Sequence, residues 1–358
     1  MPKKIKNLEV LVTDEKEYYY PNDQISGNVS FRATSNVLVQ NITLKVSGIA
    51  ATKIKAKDVS GRQSTFRDCY VIFEQKIVLV GVEQGGTSGI PQGEHRFPFS
   101  FVLPRNLPST YQDAEQPKHI HVAYGIETIF NYPKGNSDKK LKPFTIRNVI
   151  NINDPCYSHL PNPVEQETRV RRCCCGSGSI KLLAVIEKVA YLPLQPCLIL
   201  GEVQNYSKRK VPDVTVHLMR IENYKAQDRS ALKSTEIARM SYGEVKPGDT
   251  INLENKPFIV PANIASTILN CNLMEITFAL NFLVIVPRGE NLTASFQVVI
   301  GTMEEEPNGT TTADISLHPT DNVNEGRNCS GSFSSPPPYS SIIESEQLIQ
   351  DSNIAPEA

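Results

Sequence analysis

The run ITFALNFLVIV, Ile276 to Val286, is the longest apolar stretch of the chain, and its reading decides the fold. As a helix it is about half of what a membrane span needs. As a strand it is regular, because Ile276, Phe278, Leu280, Phe282, Val284 and Val286 are all apolar. A period of two predicts a strand with one buried face. ITLKVSG repeats the pattern with Ile42, Leu44 and Val46, and VTVHLMR with Val214, Val216 and Leu218. Pro and Gly punctuate the chain at about ten- to fifteen-residue intervals, the spacing of an all-β sandwich. No stretch before residue 303 shows a long amphipathic helix.

The strands come in two sets that echo each other. YYPNDQISGNV (Tyr19 to Val29) and YLPLQPCLILGEV (Tyr191 to Val203) both place a tyrosine, one residue and a proline before a strand. Next come VQNITLKV from Val39 and VPDVTVHL from Val211. GEHRFPFSFVLP (Gly93 to Pro104) is answered by GDTINLENKPFIVP (Gly248 to Pro261), and HIHVAYGIETIF by EITFALNFLVIV. A tandem repeat accounts for this order. The expected organisation is a first sandwich over 1–153, a linker over 154–178, a second sandwich over 179–302 and a disordered acidic tail over 303–358. The linker, DPCYSHLPNPVEQETRVRRCCCGSG, is rich in Pro, Gly and charge. The tail is polar and poor in apolar residues.

The chain has 358 residues and a net charge of −1, which conceals a split. The tail after Thr302 holds ten acids and one arginine, so the preceding residues carry 36 basic and 28 acidic groups, a net of +8. A basic body attracts acidic partners such as anionic lipid or phosphorylated tails, whereas an acidic tail can simply be a solvated segment. The N-terminus MPKKIKNLEVLV lacks the apolar core of a signal peptide. Three of the eight cysteines are adjacent, and no CxxC pair occurs, so neither a zinc knuckle nor a thioredoxin-like redox motif is supported. These features predict a soluble intracellular protein, in which the six N-x-S/T sequons are chance.

The ordered motifs resemble one family. YYYPNDQISGNV, NITLKVSG, GEHRFPFSFVLPRNLPSTY, RRCCCGSG, YLP, NYSKRKVPDV, PANIASTILNC and VVIGT, followed by Pro-Pro-x-Tyr, are similar to the arrestins, and within them the α-arrestins. The resemblance implies two tandem immunoglobulin-like, arrestin-type β-sandwich domains with no catalytic centre. It also implies an adaptor joining membrane cargo to ubiquitin and endocytic machinery. Two departures stand out. The family often has Tyr-x-Pro-Gly at the strand entry, where this chain has Asn22 and Leu194 in place of glycine. Many relatives carry two Pro-Pro-x-Tyr copies, and this chain has one, which reduces avidity.

Pro336, Pro337, Pro338 and Tyr339 form that single copy. Proline pre-sets polyproline II geometry, and WW domains receive such a segment in an aromatic-lined groove. Pro336 and Pro337 would pack between aromatic rings, Tyr339 would fill a second pocket and Pro338 would stiffen the helix. The alternative is a chance proline run; an arrestin-like body before it favours function and predicts WW domains of HECT-type ubiquitin ligases as partners. ESEQLI places Glu344 ahead of Leu348 and Ile349, the spacing of an acidic dileucine signal for clathrin adaptors; a nascent amphipathic turn would read the same way. Cys173, Cys174 and Cys175 follow Arg169, Arg171 and Arg172, which suits S-acylation at an anionic membrane surface. Equally, the cysteines could be small hydrophobes buried at a domain junction.

Enzyme motifs are missing: there is no G-x-x-x-x-G-K-[ST], G-x-G-x-x-G or G-x-S-x-G. His119 and His121 lie two apart but have no further ligand nearby in sequence, and strand histidines are the simpler reading. No cofactor, metal or nucleic acid is called for. The leading expectation is a cytoplasmic adaptor recruited to plasma membrane and endosomes, with transmembrane receptors or transporters as cargo. A redox-linked regulator holding thioredoxin through a cysteine is one alternative. A structural sandwich protein without a ligase partner is the other.

Overall fold

The structure is a computed structural model that describes residues 4–81, 86–133, 135, 137–170 and 178–303. Among these residues there is no α-helix, only strands and two short 3-10 turns, Pro155–Tyr157 and Leu253–Asn255. The all-β expectation holds. The chain divides into two compact units, the first of residues 1–149, 224–231 and 270–274 and the second of the remainder.

The first unit contains β1 (Ile5–Val12), β2 (Gln24–Ala33), β3 (Val37–Val39), β4 (Asn41–Lys57), β5 (Gln63–Gly81), β6 (Ser88–Ile90), β7 (Gly93–Val102), β8 (Tyr111–Gln112), β9 (His121–Asn131) and β10 (Ser137–Phe144). One sheet has the order β1-β2-β7 and the other β10-β9-β4-β5, with β8 beside β9. Ile42, Leu44 and Val46 point inward and are fully buried, as their alternation requires. Phe31 of β2 meets Phe130 of β9 edge-to-face at 4.9 Å, which joins the two layers.

The remaining strands are β11 (Val164–Arg169), β12 (Ser179–Ile186), β13 (Ala190–Tyr191), β14 (Pro196–Cys197), β15 (Ile199–Asn205), β16 (Val211–Ala226), β17 (Arg229–Val245), β18 (Thr250–Asn252), β19 (Phe258–Ile259), β20 (Met274–Val284) and β21 (Leu292–Ile300), and apart from residues 224–226, 229–231 and 274 they belong to the second unit. Its sheets run β11-β12-β15-β18 and β13-β21-β20-β16-β17. The deciding run is β20, in the interior of the larger sheet. Its even residues are buried as expected, but Ala279 and Asn281 on the other face are buried too. Asn281 accepts the Ser295 hydroxyl at 2.6 Å, while its amide nitrogen is buried without a hydrogen-bond partner among the described residues. Two shielded faces, rather than one, explain why this run is the most apolar of the chain.

Two boundaries differ from the sequence expectation. Within 154–178, Val164–Arg169 is an edge strand pairing antiparallel with Ser179–Ile186, not linker. Its alternation of half-buried and exposed residues never reaches full burial, so its apolar signal is faint. The first unit also takes in residues 224–231 and 270–274. The Tyr224 hydroxyl lies 2.9 Å from that of Tyr111 and donates to Asp113 at 3.0 Å. The Asn272 amide donates to the Tyr70 hydroxyl at 3.3 Å. Such non-local insertions leave no periodic trace in sequence.

The repeat is exact in its hydrogen bonding. After Tyr19 the chain turns through Pro21 and Asn22, and after Tyr191 through Pro193 and Leu194. The Asp23 amide donates to the Tyr20 carbonyl at 3.1 Å and that of Gln195 to the Leu192 carbonyl at 3.2 Å. Proline second and a positive-φ residue third is the pattern of a type II turn. Next, the Leu103 amide donates to the Asp23 carbonyl at 2.9 Å, as that of Val260 does to Gln195 at 3.0 Å. Tyr19 then bridges in parallel to Ile146, as Tyr191 pairs with Ile300. Finally, the Thr110 hydroxyl accepts the Ile146 amide at 2.8 Å, and the Thr267 hydroxyl the Ile300 amide at 2.9 Å. NLPST and NIAST are therefore the same device, a threonine side chain standing in for a strand carbonyl.

Candidate functional site

The segments singled out in sequence mostly lie outside the described residues: Pro336, Pro337, Pro338, Tyr339, Glu344, Leu348, Ile349, Arg171, Arg172, Cys173, Cys174 and Cys175. What the structure describes is how the second unit holds the points from which they depart.

The described residues end at Met303. Its amide and that of Thr302 both donate to the Ile150 carbonyl, at 3.3 and 2.9 Å, while the Thr302 hydroxyl accepts the Ile150 amide at 2.9 Å. The Ile152 amide donates back to the Met303 carbonyl at 3.1 Å. Below this ladder Ile150, Ile152, Ala190 and Val299 form a small apolar cluster with Leu192 and Tyr157 against it. Gly301 makes the approach possible, because a Cβ there would sit 2.3 Å from Ile152 Cγ2 and 2.9 Å from the Ile150 carbonyl. The VVIGT motif thus fastens the base of the tail.

The cysteine cluster belongs to the connection between β11 and β12. The Val170 amide donates to the Gly178 carbonyl at 3.0 Å, so residues 171–177 connect two adjacent, paired chain ends. Arg169, the one described member of the Arg-Cys group apart from buried Val170, is exposed and pairs with Ser179. Gly178 presses on the backbone of Tyr206, whose carbonyl would lie 2.1 Å from a Cβ. Asn205 organises that neighbouring loop. Its amide nitrogen reaches the carbonyls of Arg209, Val245 and Lys246 at 2.7, 3.0 and 3.2 Å. Its carbonyl accepts the Ser207 amide at 3.0 Å and hydroxyl at 2.7 Å. This accounts for the NYSKRK motif as a packing device against Gly178.

The remaining cysteines differ sharply. Cys197 is buried and its thiol donates to the Tyr191 hydroxyl at 3.1 Å. Burial pushes that thiol up to about 12, against the opposing effect of Tyr191. Cys271 is also buried, Cys156 is half-buried and Cys69 on β5 is exposed. Among the described residues no three His, Cys, Asp or Glu side chains are placed to hold a metal, and His119 and His121 gain no third ligand. No helix among them is long and apolar enough to cross a membrane.

Sequence reasoning named no cargo-facing residues, yet the register of the first unit gathers a group of cations on one sheet face. Lys53 stands opposite Arg67, Lys55 opposite Thr65 and Lys57 opposite Gln63. The signal was present as three lysines in ATKIKAK at the same period of two as the strand. It shows only once the partner strand is known, because Arg67 is distant in sequence.

Comparison with known families agrees with this architecture. Residues 8–153 match the family described as arrestin (or S-antigen), N-terminal domain, and residues 176–305 the arrestin (or S-antigen), C-terminal domain. Arrestin domain-containing protein 17 of Caenorhabditis elegans is 24% identical over 311 residues, covering 83% of this chain and 71% of that protein. Arrestin domain-containing protein 4 of Mus musculus is 22% identical, covering 84% of this chain and 72% of the other. The thioredoxin-interacting protein of Rattus norvegicus is 21% identical, with 84% and 75% covered.

Proposed function

The chain belongs to the arrestin family, in its α-arrestin branch, and on that premise we propose that it is a non-catalytic adaptor carrying membrane-protein cargo to WW-domain ubiquitin ligases of the HECT type. Its work on this reading is to promote ubiquitination, endocytosis and endosomal sorting of receptors or transporters. It operates from the cytoplasm, at plasma membrane and endosomes.

The observation that carries the reading is a Pro-Pro-x-Tyr sequence downstream of a firmly held exit point. Pro336 follows Met303 by 33 residues (336 minus 303). A chain of that length spans at most about 110 Å, so a ligase held by Tyr339 stays within reach of cargo held by the sandwiches. Binding of a single copy would be near micromolar, about −8 kcal/mol. Phosphate on Tyr339 would block it, because a doubly charged group does not enter an apolar pocket cheaply. Isothermal titration of the full chain against a WW domain of such a ligase, compared with Tyr339→Ala, tests this directly. Loss of binding in the variant supports the adaptor, and equal binding removes it. In the same tail, a Leu348→Ala, Ile349→Ala pair tests clathrin-adaptor binding. Acyl-exchange labelling of a Cys173, Cys174, Cys175 triple serine variant tests acylation.

The second reading is a thioredoxin-binding regulator. It rests on the relative of that name and on Cys69, the exposed cysteine among those described. A reductant-sensitive complex with thioredoxin, lost in Cys69→Ser, would favour it.

A further inference from the structure

The outward face of the β10-β9-β4-β5 sheet divides into two electrostatic halves. Away from the β4–β5 turn the charges are paired, with Lys45 of β4 and Lys76 of β5 sharing Glu74 at 2.6 and 3.5 Å and Lys139 of β10 reaching Glu127 of β9 at 3.9 Å. Toward the β4–β5 turn they are not. Lys53, Lys55, Lys57 and Arg67 make no ion pair among the described residues, and Lys118 and His119 stand exposed just ahead of β9. His121 joins this group, aligned across the sheet with Ala51 and then Cys69.

The inward side of the same stretch is occupied. The Thr52 hydroxyl donates to the Lys225 carbonyl, the Gln227 amide donates to Asp68 at 3.0 Å, and Arg229 lies 5.9 Å from the Phe66 ring centre. Solvent is left to the cationic side. Like charges directly opposite on paired strands are destabilising, yet Lys53 faces Arg67. The crowding of charge is felt locally, since His119 is held below its ordinary value, first by Lys53 and then by burial, Arg67, Lys118 and His121. The nearest carboxylate on the turn, Asp58, is taken up by Ser60, Arg62 and Ser64 of the turn itself.

We propose that this end of the sheet is a docking surface for the anionic phospholipid headgroups of a bilayer. The shape of the patch selects that occupant. From Lys53 to Lys57 the cations extend about 13 Å along β4 and continue onto β5, on an open pleated face. A single phosphate would engage two of them, whereas a plane of headgroups engages all at once. At the tip Val59, 96% exposed and set between Lys57 and Arg62, offers an aliphatic group where headgroups give way to acyl chains. The surface would hold the adaptor against the membrane in which its cargo lies, independently of any ligase.

The experiment is flotation of the full chain with phosphatidylcholine vesicles, with and without phosphatidylserine. Binding should require phosphatidylserine and weaken with salt. A Lys53→Gln, Lys55→Gln, Arg67→Gln triple variant should bind at least about tenfold more weakly, each cation near an anionic surface being worth roughly fivefold. A Lys6→Gln, Lys208→Gln control should bind like wild type. The triple variant should melt no lower than wild type, because a like-charge pair has been removed, and its WW-domain binding should persist. Equal binding to both vesicle types, or equal loss in the control, overturns the proposal. So does a triple variant that keeps vesicle binding but loses an acidic peptide, which would assign the face to a peptide. The same holds if vesicle binding is kept while protease sensitivity of residues 304–358 changes, which would assign it to the chain's own acidic tail.

Discussion

Leu194 repeats the backbone conformation of Asn22, with φ of 69° against 68°, at the same step of the same turn in the two sandwiches. This is the step at which the resemblance led us to expect glycine, and the geometry gives the reason. A left-handed residue must follow Pro21 or Pro193, and glycine adopts that conformation without a Cβ clash. Asparagine tolerates it moderately well, whereas leucine is strained there.

Replacing Leu194 by glycine should therefore stabilise the protein. The relief of about 1–2 kcal/mol is offset by about 0.5–1 kcal/mol of added unfolded-state entropy, which leaves a gain of roughly 0.5 kcal/mol. Little burial is lost, because Leu194 is 66% exposed. Leu194→Val should shift stability the other way. Denaturant midpoints of the two variants check the sign, and a destabilised Leu194→Gly would contradict the strain argument.

Gly301→Ala should loosen the base of the tail. The added methyl meets Ile152 Cγ2 and the Ile150 carbonyl well inside contact distance, and such overpacking costs about 1–3 kcal/mol. Hydrogen exchange should report the damage first at the amides of Ile152, Thr302 and Met303, whose bonds form the clamp. Unchanged protection there would show that the ladder accommodates a side chain.

The β4–β5 turn should be acid-sensitive through Asp58. Hydrogen bonds from the Ser60 and Ser64 hydroxyls, then from the Arg62 and Ser60 amides, lower its carboxyl from 3.8 to about 2. A carboxyl depressed on folding contributes stability that is present above its unfolded value and lost as pH falls through the folded one. The loss should therefore fall between about pH 4 and pH 2. Carboxyl-carbon NMR titration of Asp58 measures this, and a midpoint at the unfolded value would mean the turn does not form in solution.

Thiol labelling should separate the cysteines. Cys69 is exposed and should react with iodoacetamide in the native protein. Cys197, buried and raised to about 12, should react only after unfolding, since the thiolate is the nucleophile. Native labelling of Cys197 at a rate matching Cys69 would contradict its placement. The result also decides which of these two cysteines is available to a redox partner.

Much of this architecture was legible because period-two alternation reports directly which side chains are buried. Ile42, Leu44, Val46 and the even residues of Ile276 to Val286 were assigned inward and lie inward. The recurrence of VLP and IVP after the two tyrosine-proline entries was likewise visible as a repeated order, whereas their hydrogen bonding to those turns was not. Val164–Arg169 was missed because an edge strand buries too little to need an apolar pattern. Asn281 was expected on an open face because the partners that shield it, such as Ser295, lie on another strand.

The sequence by itself determined the strand character, the duplication and the presence of a Pro-Pro-x-Tyr motif, since each is written in neighbouring residues and needs only local rules. Only the tertiary structure decided that Lys53 meets Arg67, that Gly301 must lack a side chain against Ile152, and that Tyr224 belongs with Tyr111. Those facts depend on register and on contacts between residues far apart in the chain, which no local pattern encodes.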